Sequence, residues 1–360
     1  MTSHEEMSVA ACAQRLEKMV LDGVEKEWYS CATWRVTGSG ATVAEGSVGV
    51  TNLRDGAASP AKLDTIFDMA SLTKPFTAVL LLHAAERGDL HLGMPLAAFL
   101  PEAVGTRAGD LTLRQLATHT SGLSPWKALY ERSEASPVPT ILSMELAAEP
   151  STRYAYSDLG YILLGEVLAR TYQLPLDELL RAWILEPAGL HDTMFNPPAA
   201  LQPRIAATAH CSWRPGETLI GSVHDANAAS MGGVAGHAGI FSTLDDMTRF
   251  VAAIMGRGEN ALLSPAATAV MSTNQIEPAI GGHSIGWFTP PNGMLPGGDF
   301  GDHAFGHTGF TGTMLMLTSD GSLTMLLTNY VLSPFEGGEI MRLRRRFANA
   351  AAAMRSVADD

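Results

Sequence analysis

Cysteine is scarce in this chain. Only Cys12, Cys31 and Cys211 occur in 360 residues, an odd number without CxxC or metal-ligand spacing, which excludes a disulfide framework and a thiolate zinc site and leaves plain core or surface thiols. Long apolar runs are missing as well. The longest, such as Phe76 to Leu82, are interrupted by His83 and Glu86 well short of a membrane span, so no transmembrane segment is expected and the chain reads as soluble. Basic charge is also in short supply: 24 Lys and Arg face 37 Asp and Glu, a formal charge of −13 that repels nucleic acid and anionic membranes. The one dense basic cluster, Arg342, Arg344, Arg345 and Arg346, falls in a predicted C-terminal helix and reads as a solvated face. The opening MTSHEEMSVAAC carries acid where a secretory signal needs base and has no apolar core, so a cytoplasmic product is expected. Histidine is plentiful, and His224, Asp225 and His237 are close in sequence. Without HxxxH or HxH spacing they read as structural, and neither metal nor cofactor is expected.

What is present is a globular balance, 46% apolar and 17% charged, in a chain long enough to bury a large core. Apolar positions at Val9, Cys12, Leu16, Val20 and Val24 predict an amphipathic helix. Trp28 to Val36 and Ala44 to Val50, separated by Gly38-Ser39-Gly40, predict a hairpin. Ser71 to Arg87 predicts a helix stopped by Gly88-Asp89. The middle of the chain is helical patches joined by Gly- and Pro-rich loops, with a capping box at Thr112-Leu113-Arg114-Gln115 and helical spacing over Gly160 to Thr171 and Leu176 to Leu185. Strand signals return at Gly312 to Thr318 and Leu323 to Asn329, around the turn Ser319 to Ser322, and a helix from Gly338 to Ala353 closes the chain. The fold class expected is α/β of the α+β kind. An antiparallel sheet built from both ends of the chain, about residues 1–95 and 265–360, is flanked by the terminal helices, and about 96–264 forms a mainly helical inserted subdomain of one catalytic domain.

A serine with a lysine three positions later on a helix places hydroxyl and amine on one face, where the amine assists removal of the hydroxyl proton. The pattern occurs at Ser59–Lys62, Ser71–Lys74 and Ser124–Lys127. Only the second is followed by an apolar helix, and Pro75 belongs in a first turn, so Ser71 falls at a helix start with backbone N–H groups and the positive dipole end beside it. An ordinary N-cap serine with a surface lysine fits the same residues equally well.

Ser71-Leu72-Thr73-Lys74-Pro75-Phe76-Thr77-Ala78 resembles the SxxK segment of class C β-lactamases, D-alanyl-D-alanine peptidases and SxxK carboxylesterases. In order behind it, His119-Thr120-Ser121-Gly122-Leu123 is similar to the HTSGL segment of that superfamily, Tyr156-Ser157-Asp158 to its YxN element, Gly239-Ile240-Phe241-Ser242-Thr243-Leu244-Asp245-Asp246-Met247 to its Gly-Leu-x-Ser-Thr stretch, and His307-Thr308-Gly309 to its KTG or HTG. The likeness covers roughly Ala44 to Asn329, and His224 to Gly239 with Gly306 to Thr313 looks most like penicillin-binding-protein-like hydrolases.

The resemblance implies acyl transfer through a covalent intermediate on Ser71, with Lys74 and Tyr156 handling the proton and either of them as base; Lys74, as a cation, is expected to lower the Tyr156 phenol. It implies an oxyanion hole from the N–H groups of Ser71 and Phe310, a substrate-carboxylate contact at His307, substrate binding at Thr308, and close substrate approach at Gly309. Asp158 stands where the family has Asn. It accepts but cannot donate, which weakens recognition of acylamino substrates and favours a carboxylesterase-like activity on small esters or amides. A β-lactamase or D-alanyl peptidase is the alternative, and a non-catalytic penicillin-binding module a third, disfavoured by retention of Ser71, Lys74 and Tyr156 together. The expected partner is a small ester, amide or β-lactam, not nucleic acid or membrane.

Overall fold

The computed structural model describes residues 8–38, 41–52, 58–131, 136–209, 211, 213–257, 260–295, 304–329 and 338–358. A five-stranded antiparallel sheet joins the two ends of the chain. Its strands lie in the order Ala41–Gly49, Cys31–Gly38, Leu323–Thr328, Met314–Thr318 and Ala304–Thr308. The N-terminal hairpin therefore meets the C-terminal strands at its centre, with Trp34 opposite Leu326. Gly38 closes the first strand, and the rest of the expected turn, Ser39-Gly40, lies outside the described residues.

One face of the sheet is covered by Val9–Glu25 and Gly338–Ala358. The first helix is fixed at its start by Ser8, whose hydroxyl accepts the N–H of Ala11. The two terminal helices meet the sheet through Leu16, Val20, Trp34, Leu343 and Phe347 in one cluster. The other face meets a larger core in which the helix Thr73–Glu86 is buried nearly all round. That burial follows from its composition: Phe76, Val79, Leu80, Leu81 and Leu82 leave it no polar face. Asp158–Tyr172 packs beside it in the same core, as does the short helix Leu113–Ala117, which is closed by the expected capping box of Thr112 and Gln115. Leu176–Leu180 continues into a π-helical turn at Arg181–Leu185 where a single regular helix is expected from the spacing.

The C-terminal arginine cluster departs from expectation. Arg342, Arg345 and Arg346 are exposed, but Arg344 is 3% exposed. It shares the inward face with Ile340, Phe347 and Ala351, and its guanidinium donates to the carbonyls of Gly309 and Thr313 (2.9 Å to the latter). It ties the last helix to the turn beside the Thr308 strand end. Among the described residues no helix is long and apolar enough to cross a membrane.

Candidate active site

Ser71 sits in a 3-10 turn, Ala70–Leu72, that runs into the helix Thr73–Glu86. The turn is entered through Ala70 at φ +46°, a left-handed conformation that costs a non-glycine residue about 1–3 kcal/mol. Asp68 holds it there. Its Oδ1 accepts the Ala70 N–H at 2.8 Å, and its Oδ2 accepts the N–H of His224 at 2.7 Å. Burial raises the Asp68 carboxyl to about 6, against these two hydrogen bonds. Strand Phe67–Asp68 is itself paired with Ile240–Ser242, so the turn rests on the Gly239-Ile240-Phe241-Ser242 motif. Sequence reasoning missed Asp68; its signal is a lone acidic residue amid the apolar Phe67-Asp68-Met69-Ala70.

Lys74 is 0% exposed and three-ways engaged. Its Nζ lies 3.0 Å from Ser71 Oγ, 3.1 Å from the carbonyl of His237 and 2.7 Å from Asp158 Oδ1. An ammonium has three N–H groups, so each finds an acceptor. The Gly236-His237 segment is pinned to the same helix where Thr77 donates to the Gly236 carbonyl at 2.7 Å. The two competing SxxK matches lie in loops with Lys62 and Lys127 exposed.

Tyr156 stands over Lys74, with the ammonium 4.9 Å from its ring centre. Burial first, and the Asp158 carboxylate second, push the phenol well above 10, opposed by a hydrogen bond with Ser71. The expected lowering by Lys74 is thus reversed, because burial and the Asp158 carboxylate outweigh it. His119 fixes this segment: its Nδ1 accepts the Ser157 N–H at 3.0 Å, its carbonyl accepts from Ala155, and its ring packs 4.4 Å from that of Tyr156. The HTSGL likeness pointed to His119 without giving it a task.

His307 does not reach the cavity walls. It is 0% exposed, stacks on Phe288 at 4.4 Å and donates Nδ1–H to the Thr308 carbonyl at 2.9 Å. Burial, and next the Lys74 charge, push its pKa well below the usual histidine range. The enclosed imidazole therefore brings no positive charge to the site, and its Nε2 is buried without a hydrogen-bond partner among the described residues. Gly309 lines a cavity beside Ser71 and also serves packing: a Cβ there would stand 2.1 Å from Thr313 Oγ1 and 2.5 Å from the Met69 carbonyl, where strand end meets nucleophile turn.

Two cavities flank Ser71. One, about 460 Å³, is lined by Tyr156, Phe288, Thr308, Gly309, Phe310 and Arg344. The other, about 410 Å³, is lined by Tyr156, Asp158, His224, Asp225 and His237, with Trp126 and Phe310. The structure thus brings Ser71, Lys74, Tyr156, Asp158, Thr308, Gly309 and Phe310 together. It adds the trio that sequence analysis set aside: His237 Nε2 is 2.9 Å from Asp225 Oδ1, and His224 stacks on Phe310 at 5.5 Å. Among the described residues no group of three or more His, Cys, Asp or Glu side chains is arranged to hold a metal.

The chain is similar to proteins of known name. A relative from Escherichia coli K12, provisionally named D-alanyl-D-alanine carboxypeptidase, is 32% identical over 310 residues, covering 75% of this chain and 70% of its own. The N-acetylmuramyl-L-alanine amidase of Bacillus subtilis is 30% identical over 319 residues, 76% of this chain and 70% of its own. Among solved structures, EstCE1, described as a hydrolase with promiscuous acyltransferase activity, matches with TM-score 0.74 at 19% identity over 96% of this chain and 99% of that one. A class C β-lactamase from Rhodobacter sphaeroides matches with TM-score 0.73 at 21% identity over 94% and 99%. The Beta-lactamase family profile matches residues 16–348, and the chain belongs to that family of serine β-lactamase-fold hydrolases.

Proposed function

We propose that the chain hydrolyses small esters or amides through an acyl-enzyme on Ser71. The observation that carries this is the enclosed Lys74 ammonium, 3.0 Å from Ser71 Oγ and 2.7 Å from Asp158, at the meeting of two cavities. The Ser71 oxygen attacks the substrate carbonyl, its proton passes to the coupled Lys74–Tyr156–Asp158 group, and that group returns the proton to the leaving alcohol or amine. The N–H groups of Ser71 and Phe310 stabilise the oxyanion, a contribution of about 3 kcal/mol per donor in such sites. Water then attacks the acyl carbonyl, giving a proton to the same group, which passes it to Ser71 Oγ as the acid leaves.

The acyl part occupies the 410 Å³ cavity beside Asp158, and the leaving group the 460 Å³ cavity beside Arg344. Asp158 favours simple acyl groups because it has no donor for an acylamide carbonyl. A second reading, cleavage of D-alanyl peptides or β-lactams, is favoured by the 32% identity to the relative named as a D-alanyl-D-alanine carboxypeptidase. The test is quenched mass spectrometry after mixing with p-nitrophenyl acetate, a chromogenic cephalosporin and a D-alanyl-D-alanine peptide. An acyl adduct on the peptide holding Ser71, absent in Ser71→Ala together with turnover, is expected. An adduct on Ser59 or Ser124, or full activity in Ser71→Ala, overturns the reading.

A further inference from the structure

Two carboxylates, Asp158 and Asp225, and two histidines, His224 and His237, line the 410 Å³ cavity. Asp158 Oδ1 pairs with the Lys74 ammonium at 2.7 Å. Asp225 spends Oδ1 twice, on His237 Nε2 at 2.9 Å and on the Ala228 N–H at 2.8 Å. Burial works to raise the Asp225 carboxyl, but the His237 ring, the Ala228 N–H and Lys74 outweigh it and hold the group well below the usual carboxylate range. With Nε2 turned to Asp225, His237 keeps Nδ1 without a hydrogen-bond partner among the described residues, on a side chain that is 1% exposed and lines the same cavity.

No lysine or arginine is among the described residues lining it, and Lys74, behind Asp158, already has an acceptor for each N–H. At the rim, Trp126 and Phe310 are both exposed and present aromatic faces that attract cations. The −13 formal charge of the chain draws cations toward it over longer range. We propose that this cavity receives a cationic, hydrogen-bond-donating group on the acyl part of the substrate, a primary ammonium being the smallest example, and that Asp225 is its specificity-determining residue. The proposal rests on the reading of Ser71 as nucleophile.

The test uses the whole chain and two p-nitrophenyl esters of the same length, of β-alanine and of butanoic acid, in which an ammonium replaces a methyl group. After division by each ester's rate with hydroxide, kcat/KM is expected to favour the β-alanine ester by about tenfold, the scale of a hydrogen bond to a charged group. Raising the salt from about 0.05 to about 0.5 M should shrink that preference. Asp225→Asn, which keeps a side chain able to cap the helix Ala226–Ser230, should lower the preference at least about fivefold. The wild-type ratio and its salt dependence stand even if that variant does not fold. A ratio near one with hydrolysis still dependent on Ser71 overturns the cationic-acyl proposal alone, as does a preference that neither salt nor Asp225→Asn reduces. Equal hydrolysis by wild type and Ser71→Ala removes the nucleophile and this proposal with it.

Discussion

Asp68 and Ala70 form the contact on which the geometry of Ser71 depends: the buried carboxylate accepts the Ala70 N–H at 2.8 Å and holds that residue at φ +46°. The second oxygen reaches the His224 N–H, 156 positions away. One carboxylate therefore locks both the turn that presents Ser71 and the loop that carries Asp225.

The ionised carboxylate accepts both N–H groups, whereas a protonated one turns an oxygen into a donor. With its pKa raised to about 6, Asp68 is expected to give activity an acidic limb, kcat falling as pH drops below about 6. The stability term has the opposite sign. A carboxyl whose folded pKa lies above its unfolded 3.8 binds its proton more tightly when folded, so its ionisation costs up to about 3 kcal/mol above pH 6, and the cost fades as pH falls toward 3.8. Asp68→Asn offers one acceptor and faces an N–H with an NH₂. It should lose at least about tenfold in kcat, an unpaired buried N–H costing about 1–3 kcal/mol, and should lack the acidic limb. A wild-type profile flat from pH 7 to 5 would remove Asp68 from this role.

Tyr156 and Lys74 make a second prediction. Because burial and Asp158 keep the phenol protonated, activity should rise with pH through the alkaline range as the phenol gives up its proton. Tyr156→Phe and Lys74→Ala should each lower kcat by at least about a hundredfold with the fold retained. A Tyr156→Phe enzyme with unchanged kcat and pH profile would confine the phenol to packing.

The parts of this architecture that sequence made legible are those written in local periodicity. The Ser71–Lys74 spacing, the apolar helix behind it, the Thr112 capping box and the hairpin strands all depend on neighbours within a turn or two. Asp68, His119 and Arg344 act instead through backbone groups far away in sequence, which no local pattern encodes. Arg344 still left a trace: it lies four residues after Ile340 and seven before Ala351, inside the apolar stripe of its helix, while Arg342, Arg345 and Arg346 lie off it. The motif at His307 marks a position on a strand and says nothing of how the ring is enclosed.

Arg344 is accordingly expected to behave unlike its neighbours. Arg344→Ala leaves the Gly309 and Thr313 carbonyls buried without their charged donor and should cost about 3 kcal/mol in stability. Arg344→Lys should recover part of that loss, and Arg345→Ala should lie within about 0.5 kcal/mol of wild type. Urea unfolding of the three variants gives the comparison, and equal midpoints for Arg344→Ala and Arg345→Ala would contradict the assignment.

The last prediction concerns Asp158, where this chain parts from the family pattern. Its Oδ1 holds Lys74 at 2.7 Å while the rest of the carboxylate borders the cavity assigned to the acyl group. Asp158→Asn keeps the size and an oxygen for Lys74, and turns an NH₂ toward that cavity. An acylamide carbonyl then gains a donor, worth about 0.5–1.5 kcal/mol when the bond forms in the transition state. For an acylamino β-lactam or an acylated D-alanyl peptide, kcat/KM should rise several-fold relative to p-nitrophenyl butanoate, which has no such carbonyl and should gain nothing. Loss of the carboxylate also weakens the grip on Lys74, so both absolute rates should fall. The ratio of the two kcat/KM values, before and after substitution at one pH, separates these effects, since the weakened lysine slows both substrates alike. An unchanged or inverted ratio would mean that Asp158 does not face the acyl side chain, and that the acyl group lies in the cavity beside Arg344 instead.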